Sequence, residues 1–257
     1  MNNSSFYNKV AIITGAGIGI GFEIARQLAL QGACVVVNDM DEKAAHVAVA
    51  KIQQEGGRCI AVVGDSSDLD LIQHLVDQAV ATFGQLDFAI ANAGITTFGN
   101  FLDYSLERFQ QLVAVNIQGT FFFAQKAAKQ MIEQQSGGRI LFLSSVTGYQ
   151  YHPDLTAYGM SKAAIIFLAK SLGVELAPQG ITVNAIAPGA TITERTVQTE
   201  GDYANVWAKL IPTGSAATTA DIAHTALFLL SPQSCQITGQ TILVDGGWTA
   251  VSPPPPK

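Results

Sequence analysis

Seven short apolar runs, rich in β-branched residues, recur along the chain at residues 10–14, 34–38, 59–63, 88–92, 140–144, 182–187 and 241–244. They show no in–out alternation, so both faces of each predicted strand are buried, as in a parallel sheet covered on two sides. Longer segments between them have a helical period. Residues 23–30 bring Ile24, Ala25 and Leu28 to one face, and residues 69–83 repeat Leu71, Ile72, Leu75, Val76, Ala79 and Val80. Strands alternating with helices, joined by right-handed crossovers, predict a doubly wound α/β fold with a seven-stranded parallel sheet and helices on both faces. No composition break divides the chain, so one domain over residues 1–257 is expected. Residues 190–215 break the pattern; they are rich in Thr and Gly and read as a loop with one or two short helices. The ends, 1–8 and 252–257, are expected to be flexible. The second carries four consecutive prolines, which favour an extended polyproline path or no fixed one.

Composition narrows the function classes. With 48% hydrophobic residues over 257 positions the chain can fill one large core, and 13% charged residues is too few for a disordered tail protein. The net charge of −6, without any run of Lys or Arg, speaks against nucleic acid as a partner. No apolar stretch approaches the ~20 residues of a membrane span, and residues 1–9 lack a signal-peptide layout. A cytoplasmic location is the default expectation. Cys34, Cys59 and Cys235 are scattered, as are the four histidines. That predicts neither disulfide framework nor metal site, with Cys34 and Cys59 as small buried hydrophobes.

The first strand runs into Gly15-Ala16-Gly17-Ile18-Gly19-Ile20-Gly21 and then directly into a helix. Small residues let backbone approach a pyrophosphate, and the helix start offers free N–H groups and a positive dipole end. Between a strand and a helix, such a loop reads as a dinucleotide site rather than a plain turn. The second run leads into Asp39. A carboxylate there accepts the ribose hydroxyls of NAD and repels the 2′-phosphate of NADP, and neither Ile18 nor Met40 supplies a cation. The alternative is that Asp39 only starts the turn into the helix at 41–43. Asp65-Ser66 and Asn92-Ala93-Gly94 follow the third and fourth strands at their carboxyl ends, where ligands bind in this architecture. Asp65 reads equally as a helix cap.

Two further positions stand four apart on the helix expected over 157–176: Tyr158 and Lys162. They leave one helix face. A phenol ordinarily titrates near ~10 and works as a base only with a cation beside it.

Together with Thr14-Gly15-x-x-x-Gly19-x-Gly21, Asn92-Ala93-Gly94, Asn116, Ser144-Ser145, Pro188-Gly189 and Asp245-Gly246-Gly247, the Tyr158-x-x-x-Lys162 pair makes the chain resemble the short-chain dehydrogenase/reductase family over about residues 7–248. Ala91, where the family often has a second Asn, is a small departure. The resemblance implies a Rossmann-like fold and NAD as cofactor, held by Gly15, Gly17, Ile18, Gly19, Ile20, Asp39, Asp65, Ser66, Asn92, Ala93, Gly94, Tyr158, Lys162, Pro188, Gly189, Thr191 and Thr193. Thr191, through its backbone, and Thr193, through its hydroxyl, would meet the carboxamide, with pro-S hydride transfer. Tyr158 would be the acid/base and Lys162 its partner. Ser145 would bond the substrate oxygen, with Ser144 turned away by strand alternation. The Asn116 side chain would hold a water joining Lys162 to solvent; the alternative is a buried residue satisfying backbone groups in an interrupted helix.

The expected substrate is a small secondary alcohol or ketone: a sugar, polyol or cyclic alcohol, met by loops 96–100, 146–156 and 190–215. Tyr149, Tyr151, His152, Tyr203 and Trp207 are the aromatic candidates there, and Glu194 and Arg195 either pair or bind a polar substrate. The alternatives are a 3-oxoacyl-[acyl-carrier-protein] reductase, which usually takes NADPH, and a non-catalytic NAD-binding regulator. Family members are commonly homotetramers, and residues 121–123 and 163–172 are apolar candidates for pairing.

Overall fold

The computed structural model describes residues 5–199 and 202–251. Seven parallel strands form one sheet: β1 (Val10–Ile13), β2 (Cys34–Asp39), β3 (Arg58–Val63), β4 (Phe88–Ala91), β5 (Gly138–Leu143), β6 (Ile181–Pro188) and β9 (Thr241–Val244). Their spatial order is β3-β2-β1-β4-β5-β6-β9. β1 pairs with β2 on one side (Ala11 opposite Val35) and with β4 on the other (Ala11 opposite Phe88). The winding therefore reverses between β1 and β4, and a crevice opens outside the strand ends at that switch point.

Alternation along each strand feeds two cores. Ala11, Ile13, Val35, Val37, Ile90 and Leu141 pack under α1 (Gly19–Leu30) and α9 (Thr219–Leu230). Val10, Ile12, Val36, Ala89, Ile140 and Phe142 pack under α3 (Leu69–Phe83), α5 (Thr120–Glu133) and α6 (Thr156–Glu175). Both faces are buried, which is why the strands read as unbroken apolar runs. Cys34 and Cys59 lie in these cores, and burial pushes the Cys59 thiol up to about 11. No helix among the described residues is long and apolar enough to cross a membrane.

Three expectations change. Residues 5–8 are not loose: Phe6 is only 4% exposed and meets Phe88 edge-on at 5.9 Å, while the Asn8 N–H donates to the Gly32 carbonyl at 3.0 Å. The helical segment expected around Asn116 is split into α4 (Leu106–Val113), a π-helical turn at Ala114–Gly119, and α5. The loop 190–215 carries α7 (Glu194–Thr199), α8 (Tyr203–Ala208) and a strand that the sequence did not announce, β7 (Thr191–Ile192), paired in parallel with β8 (Ala217–Thr218). Residues 1–4 and the proline tail 252–257 lie outside the described residues.

Candidate active site

The crevice at the switch point is a cleft of about 680 Å³ lined from both ends. At its dinucleotide-type end, the Thr14 hydroxyl accepts from the N–H groups of Asn92 and Ala93, both at 3.1 Å. The Asn92 amide donates to the carbonyls of Thr14 (2.9 Å) and Gly15 (2.7 Å). This clamp draws β4's exit so close that a Cβ on Gly15 would lie 2.8 Å from the Ala93 Cα. The Gly17 N–H donates to Asp39 Oδ2 at 2.9 Å, and a Cβ on Gly17 would stand 2.8 Å from that same oxygen. Only glycine lets the carboxylate sit there. Asp39 Oδ1 accepts from the Asp41 N–H at 3.0 Å. Asp39 thus shapes the turn and lines the cleft at once; the cap of α2 (Glu42–Gln54) is Asp41.

Ile18 precedes α1 without any side-chain cap. The Gly19 N–H, which opens that helix, donates to Glu194 Oε2 at 3.1 Å, across 175 positions of sequence. Glu194 was expected beside Arg195 or a substrate; nothing in the sequence marks this long reach. Ile20 lines the cleft with Gly15, Ile18 and Gly19. Asp65 starts a turn by accepting from the Ser67 N–H at 2.9 Å, and Asp68 is the cap of α3. Asp65 and Ser66 both line the cleft. Asn38, which sequence reasoning passed over, donates to the carbonyls of Val62 and Gly64, each at 3.0 Å, and so holds the end of β3 in place for Asp65.

At the other end, Ser144 donates its hydroxyl to the Lys162 carbonyl at 2.8 Å and is turned away from the cleft's reacting end, into α6. The Ser145 oxygen accepts from the Thr147 N–H (3.2 Å) and hydroxyl (2.9 Å) and lines the cleft. Tyr158 and Lys162 stand one turn apart on α6, with Lys162 Nζ 5.6 Å from the Tyr158 ring centre. Lys162 is 4% exposed and donates to the Leu143 carbonyl at 2.8 Å, so its charge is held in place by the end of β5.

Asn116 sits inside the π-helical turn. Its Oδ1 accepts from the Ile95 N–H at 2.8 Å, and its Nδ2 donates to the Ile95 carbonyl (3.0 Å) and to Ser161 Oγ (3.1 Å). Ser161 donates onward to the Tyr158 carbonyl at 2.7 Å. The side chain is fully buried and bridges the β4 exit to α6 through these partners. Gly94 lies alongside: a Cβ there would be 3.3 Å from both Asn116 Oδ1 and Lys162 Nζ.

Pro188 and Gly189 close β6 on the cleft, and Ala190, Thr191 and Thr193 continue its wall. The Thr191 N–H donates to the Tyr203 hydroxyl at 3.2 Å, while Thr193 and Thr196 hold each other through hydroxyl and N–H groups. Beyond them stands an aromatic wall: Trp207 meets Trp248 at 4.9 Å, nearly perpendicular, and Tyr203 meets Trp207 at 6.0 Å. Trp248 was legible only as the end of the Asp245-Gly246-Gly247 motif, and its place here comes from the fold. His152 lines the cleft, but Tyr149 and Tyr151 do not; Tyr151 is 80% exposed.

A sequence profile described as enoyl-(acyl carrier protein) reductase matches residues 15–249. The chain is 38% identical over 240 residues to 3-oxoacyl-[acyl-carrier-protein] reductase FabG of Staphylococcus aureus, covering 93% of this chain and 97% of that one. Among solved structures, a short-chain type dehydrogenase/reductase from Mycobacterium marinum superposes with a TM-score of 0.91 at 34% identity, covering 98% of this chain and 100% of that one. A 7α-hydroxysteroid dehydrogenase, solved with NADH and 7-oxo glycochenodeoxycholic acid, superposes at 0.90 with 34% identity and 96% coverage of both chains.

Proposed function

The chain belongs to the short-chain dehydrogenase/reductase family and is an oxidoreductase, and from that premise we propose that it interconverts a cyclic secondary alcohol and its ketone with NAD(H), the whole chain acting as one catalytic unit. The observation that carries this reading is a single cleft lined by Asp39 at one end and by Ser145, Tyr158 and Lys162 at the other.

The cradle fits a dinucleotide. Gly15 and Gly17 leave no room for a Cβ beside Ala93 and Asp39, so the loop stays tight against both, and the Gly19 N–H already donates to an anionic partner, the Glu194 carboxylate. Ile18, Ile20, Asp39, Asp65, Ser66, Asn92, Ala93, Gly94, Pro188, Gly189, Thr191 and Thr193 would complete the holding set. The negative charge of Asp39, without a cation nearby in Ile18 or Met40, favours a free ribose over a phosphorylated one. Once bound, the nicotinamide supplies or accepts the hydride.

The chain's own residues then handle the proton. In ketone reduction the Tyr158 hydroxyl gives its proton to the substrate oxygen, and in alcohol oxidation it takes that proton back. The Ser145 hydroxyl donates a hydrogen bond to the same oxygen and opposes the charge that builds on it. The Lys162 ammonium, pinned by Leu143, lends positive charge beside the phenol. Asn116 acts through others: by way of Ser161 and Ile95 it holds α6 and the β4 exit in register. Ile95, Phe98, Val146, Leu155, Trp207 and Trp248 give the substrate end an apolar wall. That apolar wall favours a cyclic hydrocarbon framework, with Ser145, Thr147 and Tyr203 as the polar side chains nearest to hand.

A second reading, 3-oxoacyl-[acyl-carrier-protein] reduction, is favoured by the 38% identity to a 3-oxoacyl-[acyl-carrier-protein] reductase. One assay separates the two: initial rates on cyclic ketones and on 3-oxoacyl thioesters, each with NADH and NADPH. The proposal expects cyclic ketones with NADH to lead; thioesters with NADPH leading would replace it with the second reading. Tyr158→Phe is expected to lower kcat by about 10²–10⁴-fold, the usual worth of general acid–base catalysis, while NADH binding persists. Near-normal turnover would remove Tyr158 from the proton step.

Asp39→Asn is expected to lower the NADH/NADPH ratio of kcat/KM by about tenfold or more, equivalent to ~1.4 kcal/mol. An unchanged ratio would mean that Asp39 serves only the turn. The protein is further proposed to be a homo-oligomer, on the strength of the apolar groove between α5 and α6.

A further inference from the structure

Glu194 and Tyr203 each hold a backbone N–H at the edge of the cleft, contacts that the sequence did not foretell. The Gly19 N–H belongs to the first turn of α1, a helix whose preceding residue offers no side-chain cap. Such an N–H has no partner within its own helix, and the helix dipole makes it a preferred seat for negative charge. Here the partner is the Glu194 carboxylate at 3.1 Å, brought from the far end of the sequence by the segment that follows β6. The neighbouring residue follows suit, since a Cβ on Gly19 would lie 3.7 Å from Thr193 Cγ2. On the opposite side of the same segment, the Tyr203 hydroxyl takes the Thr191 N–H at 3.2 Å. Thr191 and Tyr203 both line the cleft beside Tyr158.

We propose that Glu194 and Tyr203 act as internal stand-ins for the dinucleotide: each holds a backbone N–H that the cofactor needs, and cofactor binding proceeds by displacing them. This rests on the dinucleotide reading above and deepens it. A phosphate oxygen and a carboxylate cannot share the one Gly19 N–H, because both are acceptors and both are negative. The glutamate must swing out before the pyrophosphate can settle against α1. The apparent affinity for the cofactor is therefore lower than the cradle's intrinsic affinity by the fraction of molecules in which Glu194 is already displaced. Tyr203 adds a second, weaker hold through an uncharged hydroxyl.

The displacement has a built-in reporter. The chain has two tryptophans, and both stand in this wall: Trp207 packs against Tyr203 and against Trp248. When Tyr203 gives up the Thr191 N–H, the environment of Trp207 changes, so intrinsic fluorescence follows the handover independently of turnover.

The test is an equilibrium titration of the full-length wild type, Glu194→Ala, Glu194→Gln and Tyr203→Phe with NAD and with NADH, read by tryptophan emission and by calorimetry. Glu194→Ala is expected to bind about 3- to 10-fold tighter than wild type, with Glu194→Gln and Tyr203→Phe giving smaller gains in the same direction. The emission of Tyr203→Phe alone is expected to lie part-way toward that of the NAD-bound wild type. Glu194→Gln keeps the side chain's shape and guards against a folding defect in the alanine variant. Equal or weaker binding by both Glu194 variants would overturn the proposal while leaving the cofactor reading intact. Wild-type protein that binds neither NAD nor NADH would overturn both.

Discussion

Asp245 shows how one carboxylate ties a turn to the substrate wall. It follows β9 and accepts from the Thr249 hydroxyl (2.7 Å), the Thr249 N–H (2.8 Å) and the Gly247 N–H (2.9 Å). Burial would raise its pKa, but these donors outweigh burial and hold the carboxyl below its ordinary value of 3.8. A depressed folded-state pKa means that the stabilisation is fully present above that ordinary value and is lost as pH falls through the folded one. The turn carries Trp248, whose N–H bonds the Asp245 carbonyl. The expected outcome is loss of native tryptophan emission and a falling Tm below about pH 4, with Asp245→Asn showing a lower Tm at pH 7 and a flatter acid profile. An identical profile in the variant would dismiss the linkage. At this scale the sequence was informative where chemistry demands a residue type in a fixed local setting, as with Gly17, Asp39, Tyr158 and Lys162. It did not reveal the partners of Glu194 and Asn38, which lie on elements distant in sequence and leave no local mark.

Among the elements, the π turn at Ala114–Gly119 decides how α6, the helix of Tyr158 and Lys162, is held. One extra residue in a helical turn rotates the chain that follows and frees a side chain for use inside. Asn116 uses that freedom to satisfy both backbone groups of Ile95 and to reach Ser161 on α6. Asn116→Ala would strand those buried partners, a change that typically costs about 1–3 kcal/mol per group. A substantially lower Tm is expected, together with reduced kcat and nearly unchanged NADH affinity, because Asn116 does not line the cleft. Affinity lost in step with kcat would instead place it in contact with the cofactor. An interrupted helix around Asn116 was one reading of the sequence, but the type of interruption was not legible, since hydrophobic period is nearly the same on either side of one inserted residue. The same limit hid β7 and β8, which are two residues each and have too little pattern to register.

For the whole molecule, the surface left over after folding poses the next question. A groove between α5 and α6 is lined by Phe121, Ala124, Ala128, Phe167, Leu168 and Leu172. Phe167 is 70% exposed, whereas Phe123, from the same apolar stretch as Phe121, is fully buried against the sheet. Contiguous apolar surface of this kind marks a site of association, and two-fold pairing of like helices is the simplest closed arrangement. Light scattering is expected to give a multiple of the 27.1 kDa chain mass, and Phe167→Asp to lower it without loss of helical content. A monomeric wild type would refute the assembly. The seven-stranded parallel sheet, its cover of helices on both faces and the glycine-rich loop between β1 and α1 were determined by the sequence, because they follow from local periodicity and glycine placement, which act within a few residues. The tertiary structure alone decided that Asp39 meets Gly17, that Asn116 ties Ile95 to Ser161, that Trp248 joins Trp207, and that Glu194 crosses to α1. The physical reason is distance along the chain: these contacts join residues far apart in sequence, and their energies exist only once the sheet has brought its strand ends to one edge.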